Sequence, residues 1–140
     1  MTLFILESNK KQLLIRLFVY IGITAFIALF GAVYEQYSHN VHTFYMWFAW
    51  IWVLIFGVIP YALLYFLPIK WMPGTLAESI YNLGVAMLTV RSIYMGVIII
   101  YNTTGDNMVL VYTVISIVCL SVGALLYIIG LLLNRKTKTE

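Results

Sequence analysis

Of 140 residues, 64% are hydrophobic and 9% are charged, with a mean hydropathy of +0.99, whereas soluble domains are about half apolar and a quarter charged. That composition excludes a water-soluble globular domain. The net charge is +3, but apart from Arg91 the Lys and Arg residues sit at the ends of apolar runs and build no basic face, which excludes nucleic acid as a partner. A lone cysteine, Cys119, excludes both an intramolecular disulfide and a paired-thiol redox centre.

A membrane span needs about 20 apolar residues, and four such runs with their connections use nearly the whole chain. The expected fold is therefore an all-α integral membrane protein, a single domain over 1–140 with helices over 12–35, 43–67, 76–101 and 108–133 in a compact antiparallel bundle. The first run follows Lys10 and Lys11, with Arg16 one turn inside it. This charge pattern mimics a signal peptide, but the run exceeds a normal h-region and no A-x-A-like site follows it, so it is expected to stay as a span. The short apolar stretch Met1 to Leu6 is expected to lie on the membrane surface. Along this helix Tyr20, Thr24, Gly31, Glu35 and Ser38 share one face, the pattern of a packing seam, with Thr24 offering an interhelical hydrogen bond.

The second run opens on Phe44, Tyr45, Trp47 and Trp50, aromatic residues suited to the headgroup interface. Pro60 removes one backbone donor and predicts a distortion near Gly57. Pro68, Pro73 and Gly74 then mark a turn. The third run starts at Thr75-Leu76-Ala77-Glu78, which fits a capping box in which Glu78 reaches back to Thr75. In this run Glu78, Asn82, Thr89, Ser92 and Gly96 share an arc, while Gly84, Arg91 and Met95 face the other way. Polar groups on two sides place this helix centrally or in an oligomer interface. In the fourth run Ser116, Gly123 and Gly130 recur every seven residues, a small-residue stripe for close packing.

Lys10, Lys11, Arg16, Lys70, Arg135, Lys136 and Lys138 all fall on one side of such a bundle, and the connections over 35–42 and 102–107 contain no Lys or Arg. The positive-inside rule then predicts an N-in/C-in topology. The expected location is a cell membrane, multi-pass, with a bacterial cytoplasmic membrane the simplest case.

Two places carry candidate chemistry. Arg91 lies about one residue from the centre of a third span taken over 79–101, and Glu35 is displaced from it by ~16 Å in depth at 1.5 Å per residue. No carboxylate stands at its depth, leaving Tyr94, Thr24 and Ser116 as polar company. An anion, a lipid headgroup or a partner's acid would neutralise it better, since a guanidinium keeps its charge. The second place is the polar end of the first helix, with Glu35, Ser38, His39 and His42, and with Asp106 within reach. Glu35, His39 and His42 at i, i+4 and i+7 could hold a transition metal such as zinc, although the HExxH context is missing. The chain has no nucleophile elbow and no phosphate-binding glycine loop. The expected function is thus a small transport component or an accessory subunit of a membrane complex. Its partners would be the lipid bilayer and a homo-oligomer or larger assembly, with no cofactor; the alternative is an outer-face metal site or membrane enzyme.

Overall fold

A computed structural model describes residues 2–37, 43–66, 74–101 and 107–136, with side chains described from 10 to 133 among them. Every regular element in these residues is helical. Helix α1 covers Thr2–Tyr37, beginning well before the expected start at 12. No Gly or Pro occurs before Gly22, so nothing in the chain ends the helix between Thr2 and the first span, and the expected separate surface segment is one continuous helix instead. At 1.5 Å per residue it is ~54 Å long, more than a ~30 Å hydrocarbon core requires.

The second run is divided into α2 (Phe44–Trp47), α3 (Ala49–Val53), a π-helical segment (Leu54–Val58) and α4 (Ile59–Phe66). The π segment contains Gly57 and lies one turn ahead of Pro60. Pro60 has no N–H to give to the carbonyl four residues earlier, and the turn before it widens so that the Ile59 N–H donates to Leu54 O, five residues back. Helix α5 runs Thr75–Ile100 and α6 Met108–Lys136. Four stretches have membrane-spanning length and apolarity: Lys10–Tyr37, Ala49–Phe66, Thr75–Ile100 and Met108–Leu133. The chain is a helical bundle with four candidate transmembrane helices.

Gly74, not Thr75, occupies the N-cap of α5, and no side chain caps that end. Glu78 is engaged elsewhere, so the expected capping box does not form. In the same first turns Ser79 Oγ donates back to Thr75 O at 2.8 Å.

Helix α5 has the largest buried share of the four spans, 33% against 11% for α1 and α6, and this is the central position its two polar faces require. One face meets α2 and α3, where the indole Nε1 of Trp52 donates to Ser92 Oγ at 2.9 Å. The other meets α6 through pairs whose numbers rise on α5 as they fall on α6: Tyr81 with Gly123, Gly84 with Leu120, Arg91 with Thr113 and Tyr94 with Tyr112. Helix α1 packs on the second span, and among the described residues α6 comes within 8 Å, Cα to Cα, of α5 alone. The bundle therefore leaves a cleft between α4 and α6.

Small residues set the close approaches, as expected where lipid supplies no hydrophobic drive and van der Waals contact must hold helices together. Met46, 2% exposed, is wedged between α1 and α5: a Cβ added at Gly31 would lie 2.9 Å from Met46 O, and one at Gly96 would lie 2.9 Å from Met46 Cβ. Gly57 admits the Tyr20 ring in the same way. Thr24 donates to Tyr20 O of its own helix at 2.7 Å, so among the described residues its proton does not go to another helix, and the polar bonds of the α1 seam come from Tyr20 and Glu35 instead.

The fourth-helix stripe divides. Ser116 is fully buried and Gly123 abuts Tyr81, where a Cβ would fall 2.8 Å from the Tyr81 backbone nitrogen, but Gly130 has nothing within 4 Å. Gly123→Ala is therefore expected to lower stability by about 1–3 kcal/mol through overpacking, whereas Gly130→Ala should stay within about 0.5 kcal/mol of the parent. Chemical denaturation in mixed micelles measures both.

Candidate functional site

At the end of the bundle where α1 enters its span and α5 begins, five polar side chains from three helices converge. Arg16 and Tyr20 are four residues apart on α1, Glu78 and Asn82 four apart on α5, so each pair projects from one helix face. Tyr61, directly after Pro60, comes from α4 between them. Arg16 Nη1 lies 2.6 Å from Glu78 Oε2, with the two side chains 29% and 13% exposed. The contact is close but off-axis: Arg16 Nη1 is buried without an aligned hydrogen bond.

Tyr20 donates to Asn82 Oδ1 at 2.6 Å. The Tyr61 hydroxyl stands 3.1 Å from Glu78 Oε1 and 3.4 Å from Asn82 Oδ1. A phenol has one proton to give; the shorter distance assigns it to the carboxylate, leaving the amide oxygen to Tyr20. The two tyrosine rings stack with centroids 5.2 Å apart and planes 28° apart. Every member thus meets an opposite charge or a complementary donor, as a low-dielectric site demands of a polar network.

This network forms part of the wall of a cavity of about 300 Å³ in the cleft between α4 and α6, with α5 behind it. Leu63, Leu64, Ala124 and Ile128 supply apolar surface, and Tyr81 and Tyr127 join Glu78 as polar-tipped residues. The Glu78 carboxylate consequently has Arg16 and Tyr61 as partners while bordering an apolar chamber.

The residues expected around Arg91 are distributed differently. Its Nε donates to Thr113 Oγ1 at 2.6 Å, and Thr113 passes its own proton to Val109 O at 2.7 Å. Ser116 donates to Thr113 O at 2.8 Å, one step removed from the arginine, and Thr24 is occupied within α1. Tyr94 packs edge-on against Tyr112, centroids 5.8 Å apart. With α5 starting at Thr75, Arg91 stands ~5 Å beyond its midpoint at 1.5 Å per residue.

Glu35 is 7% exposed and its Oε1 accepts the Thr43 N–H at 3.1 Å, closing the approach of α1 to α2. Gly31 and Gly96 both abut Met46, so Glu35 and Arg91 are separated by ~14 Å along the bundle at 1.5 Å per residue. Ser38, His39, His42 and Asp106 lie outside the described residues, and the metal reading with them. Among the described residues no three His, Cys, Asp or Glu side chains stand together.

Thr113 and the Arg16–Glu78 network were not anticipated. Ser116 stood at a plausible depth on the fourth run, but the offset of α6 against α5 brings Thr113 to Arg91 instead. Arg16 and Glu78 did carry a legible signal: each lies about one turn inside its span at the same end, with opposite charge. No family model, curated protein or solved structure matches this chain.

The pair lies between the surface and buried cases, so a double-mutant cycle of Arg16→Gln and Glu78→Gln is expected to give a coupling of about 1–2 kcal/mol. Each single change should also cost more than the double, since it leaves one charge without its counter-ion. Denaturation of the four proteins in the same micelles measures both quantities.

Proposed function

We propose that this protein is a small, non-enzymatic transport component or accessory subunit that binds a membrane-dissolved amphipathic molecule in the cavity between α4, α5 and α6. The observation that carries the reading is the apolar chamber with a carboxylate and three tyrosines on its wall. Its volume reaches the lower end of the range for small-molecule pockets, ~300–1,000 Å³.

The cleft suits entry from the bilayer, because α6 leans on α5 and leaves its α4 side unfilled. A molecule arriving from lipid gains little from moving its apolar part between two apolar media. Selectivity must then reside in the head, and Glu78, Tyr81 and Tyr127 are the polar-tipped residues of the wall that could meet one. The arrangement is proposed to be an antiparallel bundle in a cell membrane with both termini cytoplasmic, the orientation that the positive-inside rule gives to the Lys and Arg pattern of the sequence. The cavity would then open in the cytoplasmic half.

Ala124 is exposed and borders the cavity, so Ala124→Phe fills the chamber with little demand on the fold. Native mass spectrometry from lipid nanodiscs should show a bound amphiphile on the parent protein and at least a tenfold lower occupancy on the variant. Equal occupancy of both would sink the cavity as the binding site.

A second reading concerns Arg91, of whose five N–H donors only the one on Nε has a hydrogen-bond partner among the described residues. A partner's acid or an anionic headgroup would complete it. Arg91→Leu makes the span more apolar and should preserve insertion, while a copurifying partner should be lost from affinity pull-downs in mild detergent. Undiminished copurification would reduce Arg91 to a structural residue held by Thr113.

A further inference from the structure

At the opposite end of the bundle from the Arg16–Glu78 pair, the last turn of α1 and the start of the second span enclose a recess of about 370 Å³. It is lined by Glu35, Thr43, Phe44, Trp47 and Phe48. We propose that this recess is a binding site for an alkylated ammonium group, such as the head of a lipid or a free quaternary amine. The proposal is independent of the cavity between α4 and α6.

Three kinds of surface meet there. The first is the Glu35 carboxylate, 7% exposed, which is held in place by the Thr43 N–H and still borders the recess. The second is aromatic. The Phe44 and Phe48 rings have centroids 4.3 Å apart with planes at 45°, and Trp47 meets Phe48 nearly edge-on at 6.1 Å and 73°. Rings tilted to one another present π-faces in several directions, and a cation over such faces is drawn by their quadrupoles. The third is the Thr43 hydroxyl: Thr43 is 3% exposed, and its Oγ1 is buried with no hydrogen-bond partner among the described residues.

The chemistry of the walls selects among cations. A metal ion or a lysine-type ammonium is strongly hydrated and would surrender water to a site with one carboxylate and one hydroxyl. An alkylated ammonium carries little hydration, spreads its charge over C–H groups and fits aromatic walls, the combination that aromatic cages recognise. Local charge agrees with this choice. Among the described residues the Lys or Arg lying nearest along the axis is Arg91, ~14 Å away and bonded to Thr113 of α6. The partial exposure of Phe44 and Trp47, 72% and 55%, leaves an open side for a head attached to a longer molecule.

The experiment uses the full chain in maltoside micelles, titrated by calorimetry with choline and with its neutral carbon isostere 3,3-dimethylbutan-1-ol. Choline is expected to bind saturably and the isostere at least tenfold more weakly. Glu35→Gln, which keeps an acceptor for the Thr43 N–H, and Trp47→Leu, at a half-exposed ring, should each weaken choline at least tenfold with unchanged unfolding midpoints. Repeating the titration in nanodiscs distinguishes sources: loss of choline binding in phosphatidylcholine but not phosphatidylglycerol supports a lipid headgroup, and equal binding in both supports a free solute. Equal affinity for the isostere, or choline binding untouched by Glu35→Gln, overturns the proposal and leaves these rings as an interfacial belt.

Discussion

The third span cannot face lipid on either side, and the arrangement of the other helices follows from that. Glu78, Asn82 and Ser92 project one way from α5 and Arg91 the other, and polar groups left in hydrocarbon without partners cost several kcal/mol, on the order of a lost hydrogen bond each or more. The second span with α1 behind it satisfies the first face through Tyr61, Tyr20, Arg16 and Trp52. Helix α6 satisfies the second through Thr113. Because α6 has only this one task, it packs on α5 and leaves the chamber beside α4 open.

The ion pair at the chamber wall is better understood as a positioning device than as a source of stability. Removing two charges from water offsets much of what their attraction returns, and an apolar pair of similar volume often serves stability as well. What Arg16 and Glu78 do provide is a reason for α1 to sit at one height and rotation, because no Cα of α1 comes within 8 Å of α5. Only long side chains span that gap. The tyrosine stack and the Tyr20–Asn82 hydrogen bond fix the geometry further, so the carboxylate meets the chamber in a defined orientation.

Much of the architecture was legible from apolar run lengths, and the distortion ahead of Pro60 from the missing N–H alone. The centrality of α5 followed from its two polar faces. The site was less legible, for physical reasons. Thr75-Leu76-Ala77-Glu78 satisfies a local motif, and a local motif competes with any long-range partner; Arg16 won because an opposite charge at low dielectric outweighs one backbone N–H. Thr113 escaped notice because helix offset is set by packing, here by Gly84 against Leu120 and Gly123 against Tyr81, and loop counting cannot anticipate that. The aromatic recess joins Glu35 to residues beyond a connection, where periodicity carries no information.

The π-helical segment has a further meaning for the second span. Trp52 and Tyr61 are nine residues apart, which on an uninterrupted α-helix turns them ~180° from one another at 100° per residue. Both nevertheless reach α5, one at Ser92 and the other at Glu78. The wider turn over Leu54–Val58 acts as a one-residue slip in rotational phase, withdrawing roughly 100° from that angle. Buried positions at Ala49, Val53, Gly57 and Tyr61 accordingly recur every fourth residue without drifting off the face. The second span is thus two half-helices geared to a common neighbour, and Pro60 sets the phase between them.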